Sequence, residues 1–303
     1  MTVQHFLTLM DLNPNDLRTI IDRAIEIKKV LQAGQVYRPL QSRTLALLFD
    51  KSSTRTRLSF EVAMTQFGGS AIFLAPGSTQ LGRGEPIEDT ARVMSRLVDA
   101  VVIRTASHSM VEKFAEHAHI PVINGLTDLF HPCQLLADIQ TYIELRGEIK
   151  GRRIAWVGDG NNMCHSWINA ARQFQFHLGI ATPPQYRPRP EIVDKATEVV
   201  ELFDDPSMAV RDADIVVTDT WASMGQENEK DQRTVAFRDF RVDSRLMKMA
   251  SSDALFMHCL PAYRDHEVTA EVIDGPQSVV WDQAENRLHA QKALLEFLFL
   301  PRR

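Results

Sequence analysis

Between Phe49 and Phe60 the chain reads Phe-Asp-Lys-Ser-Ser-Thr-Arg-Thr-Arg-Leu-Ser-Phe. Ser53, Thr54 and Thr56 bring hydroxyl donors, and Arg55 and Arg57 bring guanidiniums able to grip two oxygens at once. An apolar run, Leu45 to Phe49, precedes them and reads as a buried strand. Leu58, Val62 and Ala63 then keep helical spacing until Gly68 and Gly69. The polar residues therefore fall on a strand-to-helix turn. The first N–H groups of a helix have no partner inside it, and the macrodipole makes that end positive. Such a turn is an anion site. A plain N-cap followed by surface arginines would need only one hydroxyl, so three hydroxyls beside two arginines favour the anion.

Other apolar runs also end on reactive or polar residues. Arg104 follows Ala100–Ile103 and reads either as a snorkelling surface residue or, with Arg55 and Arg57, as part of a cationic pocket for a phosphorylated substrate. His131-Pro132-Cys133-Gln134 opens a helix, with Pro132 as a start device. His131 and Gln134 then lie one turn apart and can face one carbonyl group. Asn162 follows the run Ile154–Val157 and offers an amide to a small polar ligand. Asp219 ends Ile215–Thr218 and reads as a turn cap or as an acceptor for an ammonium group, with Ser223 and Met224 in the loop beyond it.

His258-Cys259 has no further ligands at metal spacing. Neighbours in an extended strand point to opposite faces, so His258 cannot serve as the base for a Cys259 nucleophile. Cys259 is left as a small buried residue or, with the backbone of Leu260, as a group that positions substrate. On helical pattern alone Arg287 reads as an ordinary exposed residue of the helix opened by Glu285-Asn286. Gly158-Asp159-Gly160-Asn161-Asn162-Met163 invites a dinucleotide cradle but matches it poorly. Met163 stands where the third glycine belongs, and no acid ends the next strand, Gly179–Thr182.

These segments need a framework that brings strand ends together. Strands are expected at 44–49, 71–74, 100–103, 121–123, 153–157, 177–180, 213–218, 254–258 and 278–281, with helices between most of them. A helix starts at Asn13-Pro14, another covers 133–146, and a last amphipathic helix covers 285–299. The alternation predicts an α/β protein made of two doubly wound parallel-sheet domains, with the active-site cleft between them and the C-terminal helix returning to the first. The expected limits are 1–146 plus 285–303 for the first domain and 147–284 for the second. Pro183, Pro184, Pro188 and Pro190 mark a turn region in the second half.

Composition bounds the function. The chain has 303 residues, 44% hydrophobic and 24% charged, with net charge −5. That is room for two globular domains and argues against a nucleic-acid footprint. No apolar run reaches the roughly 20 residues that span a bilayer. Cys133, Cys164 and Cys259 form no Cys-x-x-Cys pair, and the first residues carry neither a signal nor a transit pattern, which fits a cytoplasmic enzyme with free thiols.

Taken together, the motifs are similar to those of the ornithine carbamoyltransferases, in the aspartate/ornithine transcarbamoylase family, over nearly the whole chain. The resemblance implies transfer of the carbamoyl group of carbamoyl phosphate to the δ-amine of L-ornithine, giving L-citrulline and phosphate, within arginine biosynthesis. It implies that carbamoyl phosphate is held by Ser53, Thr54, Arg55, Thr56, Gln80, Arg104, His131, Pro132, Cys133, Gln134, Cys259, Leu260 and Arg287. Gln80 matches the loop residue that reaches a neighbouring subunit's site in this family. Asn162, Asp219, Ser223 and Met224 match its ornithine positions. Arg104, His131 and Cys259 take the catalytic places, with the proton of the attacking amine going either to the leaving phosphate or to Cys259. Neither metal nor cofactor is implied, and the expected assembly is a homotrimer with shared sites. The rivals are a carbamoyltransferase for another amine such as putrescine, an NAD-dependent dehydrogenase, and a non-catalytic anion sensor on the same fold. Asp219 and Ser223-Met224-Gly225 count against putrescine, which has no amino-acid head group.

Overall fold

The computed structural model describes residues 3–75, 84–222 and 227–300. The chain forms two units, Met1–Gln140 with Glu285–Arg303, and Thr141–Ala284. In the first, strands β1 (Thr44–Phe49), β2 (Ser70–Leu74), β3 (Ala100–Arg104) and β4 (Val122–Leu126) form a parallel sheet in the order β2-β1-β3-β4. Helices α1 (Pro14–Gln32), α2 (Thr54–Gln66), α3 (Ile87–Leu97), α4 (His108–His117) and α5 (Pro132–Arg146) alternate with the strands, α5 passing into the second unit from Thr141. All of β1 but Thr44 is buried, as the apolar run Leu45–Phe49 requires of a strand covered on both faces.

The second unit has β5 (Arg153–Val157), β6 (His177–Ala181), β7 (Val200–Phe203), β8 (Ile215–Thr218) and β9 (Leu255–His258), parallel throughout in the order β7-β6-β5-β8-β9. Its helices are α6 (Asn162–Phe174), α7 (Pro190–Val193), α8 (Pro206–Val210), α9 (Lys230–Ala236), α10 (Ser244–Met247) and α11 (Ala270–Ile273). The last helix, α12 (Val280–Phe299), belongs to the first unit from Glu285 onward. Among the described residues no helix is long and apolar enough to cross a membrane.

Eight of the nine expected strands are present with small shifts at their ends. The ninth, 278–281, is not a strand. Ser278 makes one isolated bridge to Phe256, and the chain is helical from Val280, so α12 also begins earlier than Glu285. A run of three apolar residues, Val279 to Trp281, is too short for its period to separate a strand from a first helical turn. β7 was not expected. It is a half-exposed edge strand whose Val-Glu-Leu-Phe lacks an unbroken apolar run.

Each sheet grows outward in both directions from one strand, β1 in the first unit and β5 in the second. The strand order therefore reverses between β1 and β3, and again between β5 and β8. Loops leaving the carboxyl ends on the two sides of such a reversal diverge and leave a crevice. Ser53–Arg55 and Arg104 flank the first crevice. Gly158–Asn162 and Asp219 flank the second.

Candidate active site

In the first unit Ser53 caps α2, its Oγ accepting from the Thr56 N–H at 3.3 Å. A hydroxyl that accepts once still has a hydrogen to donate, so the cap leaves Ser53 able to bind an anion. Arg104 ends β3 in register with Phe49, and its carbonyl accepts from the Asp50 N–H at 2.8 Å, tying the two loops together. His131 precedes α5, whose first residue is Pro132. The imidazole is 5% exposed. Burial, then the positive fields of Arg287, Arg104 and Arg55, hold it well below the ordinary histidine range. These four residues, drawn from four separate segments, therefore converge on one place. A neutral imidazole there donates one N–H without adding a fourth positive charge.

Arg287 is not the exposed helix residue its local pattern suggests. It is 3% exposed, donating to Gln134 Oε1 at 2.6 Å and to Thr56 Oγ1 at 3.2 Å. The Gln134 amide is oriented from its other end, where Nε2 donates to Asp138 Oδ1 at 2.8 Å. Cys133 is fully buried, and its thiol donates to the Asn124 carbonyl at 3.4 Å. Burial pushes that thiol up to about 12, so it carries no nucleophile. Arg57 does not join the cluster. It pairs with Glu61 at 2.8 Å and stacks over the Phe73 ring, 3.8 Å from its centroid.

In the second unit Asp219 follows β8. Its Oδ1 accepts from the Thr220 N–H at 2.8 Å and from the Cys259 thiol at 3.2 Å, and its Oδ2 accepts from Asn161 Nδ2 at 2.8 Å. Asn161 also caps α6 through Oδ1, which accepts from the N–H groups of Met163 and Cys164. The residue that locks Asp219 is thus Asn161, which sequence reading passed over, while Asn162 is the first residue of α6. Strand-end position and an Asx cap were the available signals. Cys259 follows β9 and lies beside Asp219. Leu260 adopts the left-handed conformation, with φ 57°. Ligand atoms of Asp219, His258 and Cys259 come within 4.8 Å of one another.

A buried ion pair also escaped sequence reading. Arg233 on α9 donates to Asp159 Oδ2 at 3.0 Å and to the Trp221 carbonyl at 2.9 Å. It bonds Glu229 at 2.9 Å and covers the Tyr186 ring at 4.6 Å. Asp159 stands just past β5, in the segment already noted at that strand end, but nothing local points to Arg233 as its partner. Gln80, Ser223 and Met224 lie outside the described residues.

The arrangement offers two distinct chemistries. The first unit concentrates guanidiniums, hydroxyls and a helix N-terminus, suited to a small phosphorylated donor. The second offers a fixed carboxylate with amide neighbours, suited to an ammonium group.

Comparison with known proteins agrees along the whole length. Residues 4–144 match the carbamoyl-P binding domain of aspartate/ornithine carbamoyltransferase, and residues 150–298 match its Asp/Orn binding domain. The ornithine carbamoyltransferase of Nitrosococcus oceani is 62% identical over 300 residues, covering 99% of both chains. That of Methylococcus capsulatus is 60% identical over 298 residues, covering 98% of this chain and 99% of its own. Among solved structures, ornithine carbamoyltransferase from Burkholderia thailandensis superposes with a TM-score of 0.92 at 52% identity, covering 98% of this chain and 99% of that one. The enzyme from Pyrococcus furiosus gives a TM-score of 0.93 at 49% identity, covering 97% and 96%. The chain belongs to the aspartate/ornithine carbamoyltransferase family.

Proposed function

We propose that this chain transfers the carbamoyl group of carbamoyl phosphate to the δ-amine of L-ornithine, releasing L-citrulline and phosphate. The observation that carries the reading is that buried Arg287 joins Gln134 of α5 to Thr56 of α2, beside Arg104 at the end of β3 and a buried, neutral His131. Such a cluster fits a donor that combines a doubly charged phosphate with a carbonyl.

The phosphate is held by the N-terminus of α2, by Ser53 and Thr54, and by Arg55. The carbonyl oxygen gains charge as the amine nitrogen attacks its carbon, and Arg104, His131 and Thr56 supply donors to it. Gln134, its amide fixed by Asp138 and Arg287, recognises the carbamoyl group. Collapse of the tetrahedral state breaks the bond from carbon to the bridging oxygen, and that oxygen leaves with the phosphate. Each donor aimed at developing charge is worth about 3–4 kcal/mol of barrier.

Asp219 pairs with the α-ammonium of ornithine, and Asn162 contacts the amino-acid head. The Cys259 thiol donates to Asp219 and so holds its own hydrogen in this geometry. The departing phosphate is therefore the destination of the proton lost by the amine.

We further infer a cytoplasmic enzyme of arginine biosynthesis that assembles as a homotrimer. Support comes from edge strand β2 and from exposed apolar side chains in this unit, Leu58, Ile72, Val93 and Leu97, that another copy would cover. Gln80 is the residue assigned to a neighbour's site.

The test is a product assay with carbamoyl phosphate and a panel of amines. Ornithine should give citrulline far faster than putrescine or lysine. Preference for putrescine would overturn the acceptor assignment, and phosphate binding with no carbamoyl transfer to any amine would reduce the chain to an anion sensor.

A further inference from the structure

Just past β9 the chain turns sharply through Cys259, Leu260 and Pro261, and the turn is sewn down by two buried side chains, His258 and Glu267. His258, at the end of β9, is 1% exposed. Its own N–H donates to Gln283 Oε1 at 3.1 Å, which fixes the strand end. Its Nδ1 accepts from the Leu260 N–H at 2.9 Å. The acceptor role leaves Nδ1 without a proton and places the ring hydrogen on Nε2. Nε2 lies 3.3 Å from Glu267 Oε1, and Glu267 is also 1% exposed. The same carboxylate oxygen accepts from the Tyr263 N–H at 2.6 Å. The N–H groups of residues 260 and 263 are thus each held by one member of a buried, adjacent pair.

The backbone between those anchors needs holding. Leu260 sits at φ 57°, a left-handed conformation that a branched side chain resists. Cys259 projects its thiol to Asp219, 3.2 Å away. An apolar pair would fill the space under the turn, yet it could anchor neither N–H group. A buried imidazole and carboxylate give a specified backbone geometry in return for their desolvation.

We propose that His258 and Glu267 are positioning residues for the transfer reaction. Together they set the left-handed turn at Leu260 and so aim Cys259 and the Leu260 backbone. The proposal rests on the function given above for its kinetic readout. Both act through the turn.

The test compares His258→Asn, His258→Leu and Glu267→Gln in the full chain, each with and without Leu260→Gly. Asn places an oxygen near the Nδ1 position and keeps the bond to the Leu260 N–H, whereas Leu removes it. Three quantities are read: kcat with both substrates saturating, KM for each, and the alkylation rate of Cys259 by iodoacetamide. Cys133 and Cys164 are buried and provide the slow background. His258→Leu should lower kcat by roughly tenfold or more, a loss equivalent to one hydrogen bond's worth of geometry, and should change Cys259 alkylation. His258→Asn should stay within about threefold of the parent. Glycine adopts the left-handed conformation freely, so the loss caused by His258→Leu should shrink in the Leu260→Gly background.

An equal loss in both backgrounds would overturn the proposal, as would unchanged kcat and alkylation in His258→Leu. Should His258→Leu fail to fold, Glu267→Gln carries the same comparison, and unchanged kcat and alkylation there would also refute it. Absence of citrulline formation by the parent would instead refute the function, while the alkylation data would still judge the turn.

Discussion

Arg233→Met is expected to destabilise the second unit by an amount that grows with pH. The guanidinium holds Asp159, the Trp221 carbonyl and Glu229 at 2.9–3.0 Å. Burial pushes the Asp159 carboxyl up to about 7 even with Arg233 beside it, and Asp219 and Glu229 add to the rise. Between its ordinary value of 3.8 and about 7 the native state keeps a proton that the unfolded chain has released. The contribution of this group is complete in acid and is lost as the pH climbs through about 7. At about pH 5 the variant therefore loses only the guanidinium's hydrogen bonds, about 1–3 kcal/mol. At about pH 8.5 it must leave a carboxylate buried without its partner, about 3–5 kcal/mol. All four tryptophans, Trp156, Trp167, Trp221 and Trp281, belong to the second unit. Urea unfolding followed by tryptophan fluorescence therefore reads that unit. Adding Asp159→Asn should bring the penalty at the higher pH back to its value in acid. Equal penalties at both pH values, or no recovery in the double variant, would refute the electrostatic account.

Three further outcomes are expected. Arg55→Ala should raise KM for carbamoyl phosphate by about 10- to 100-fold, and an unchanged affinity for that donor would contradict the anion site. Asp219→Asn should weaken ornithine and spare carbamoyl phosphate; equal loss of both would assign Asp219 to folding. Lys292 of α12 is 3% exposed beside the Phe67 ring, and burial pushes its ammonium down to about 8. Its native state gives up the proton before the unfolded chain does, so its unfavourable contribution fades as the pH rises from about 8 to 10.5. Lys292→Met should thus raise Tm at pH 7, by about 1–3 kcal/mol of stability, with little gain at pH 10. A lower Tm at pH 7 would show that the ammonium has a stabilising partner.

What was legible in the sequence follows the range of the interactions involved. Leu45–Phe49 with Ser53–Arg55 is local: a strand, a cap and a helix start within a dozen residues, each with its own pattern. Asp219 was likewise visible as the polar end of an apolar run. Arg287 was not legible from pattern, because its partners Gln134 and Thr56 lie 153 and 231 positions away along the chain. No helical periodicity encodes that pairing, and only the resemblance singled the residue out. Asp159–Arg233 failed for the same reason, the partners being 74 positions apart. Val279–Val280 misled because its apolar residues serve the first turn of a helix as well as they would a strand.

The turn after β5 also decides what this fold can never host unaided. Gly160 donates its N–H to the Tyr186 carbonyl at 2.9 Å, and a Cβ there would overlap Pro188 N and Tyr186 O. The proline-marked segment beyond β6 is therefore a stopper seated against the bend where related folds lodge a pyrophosphate. Restoring the missing third glycine at Met163 would not make a nucleotide binder of this unit. An engineer would first have to cut the stopper away, and the backbone bond it gives Gly160 would go with it.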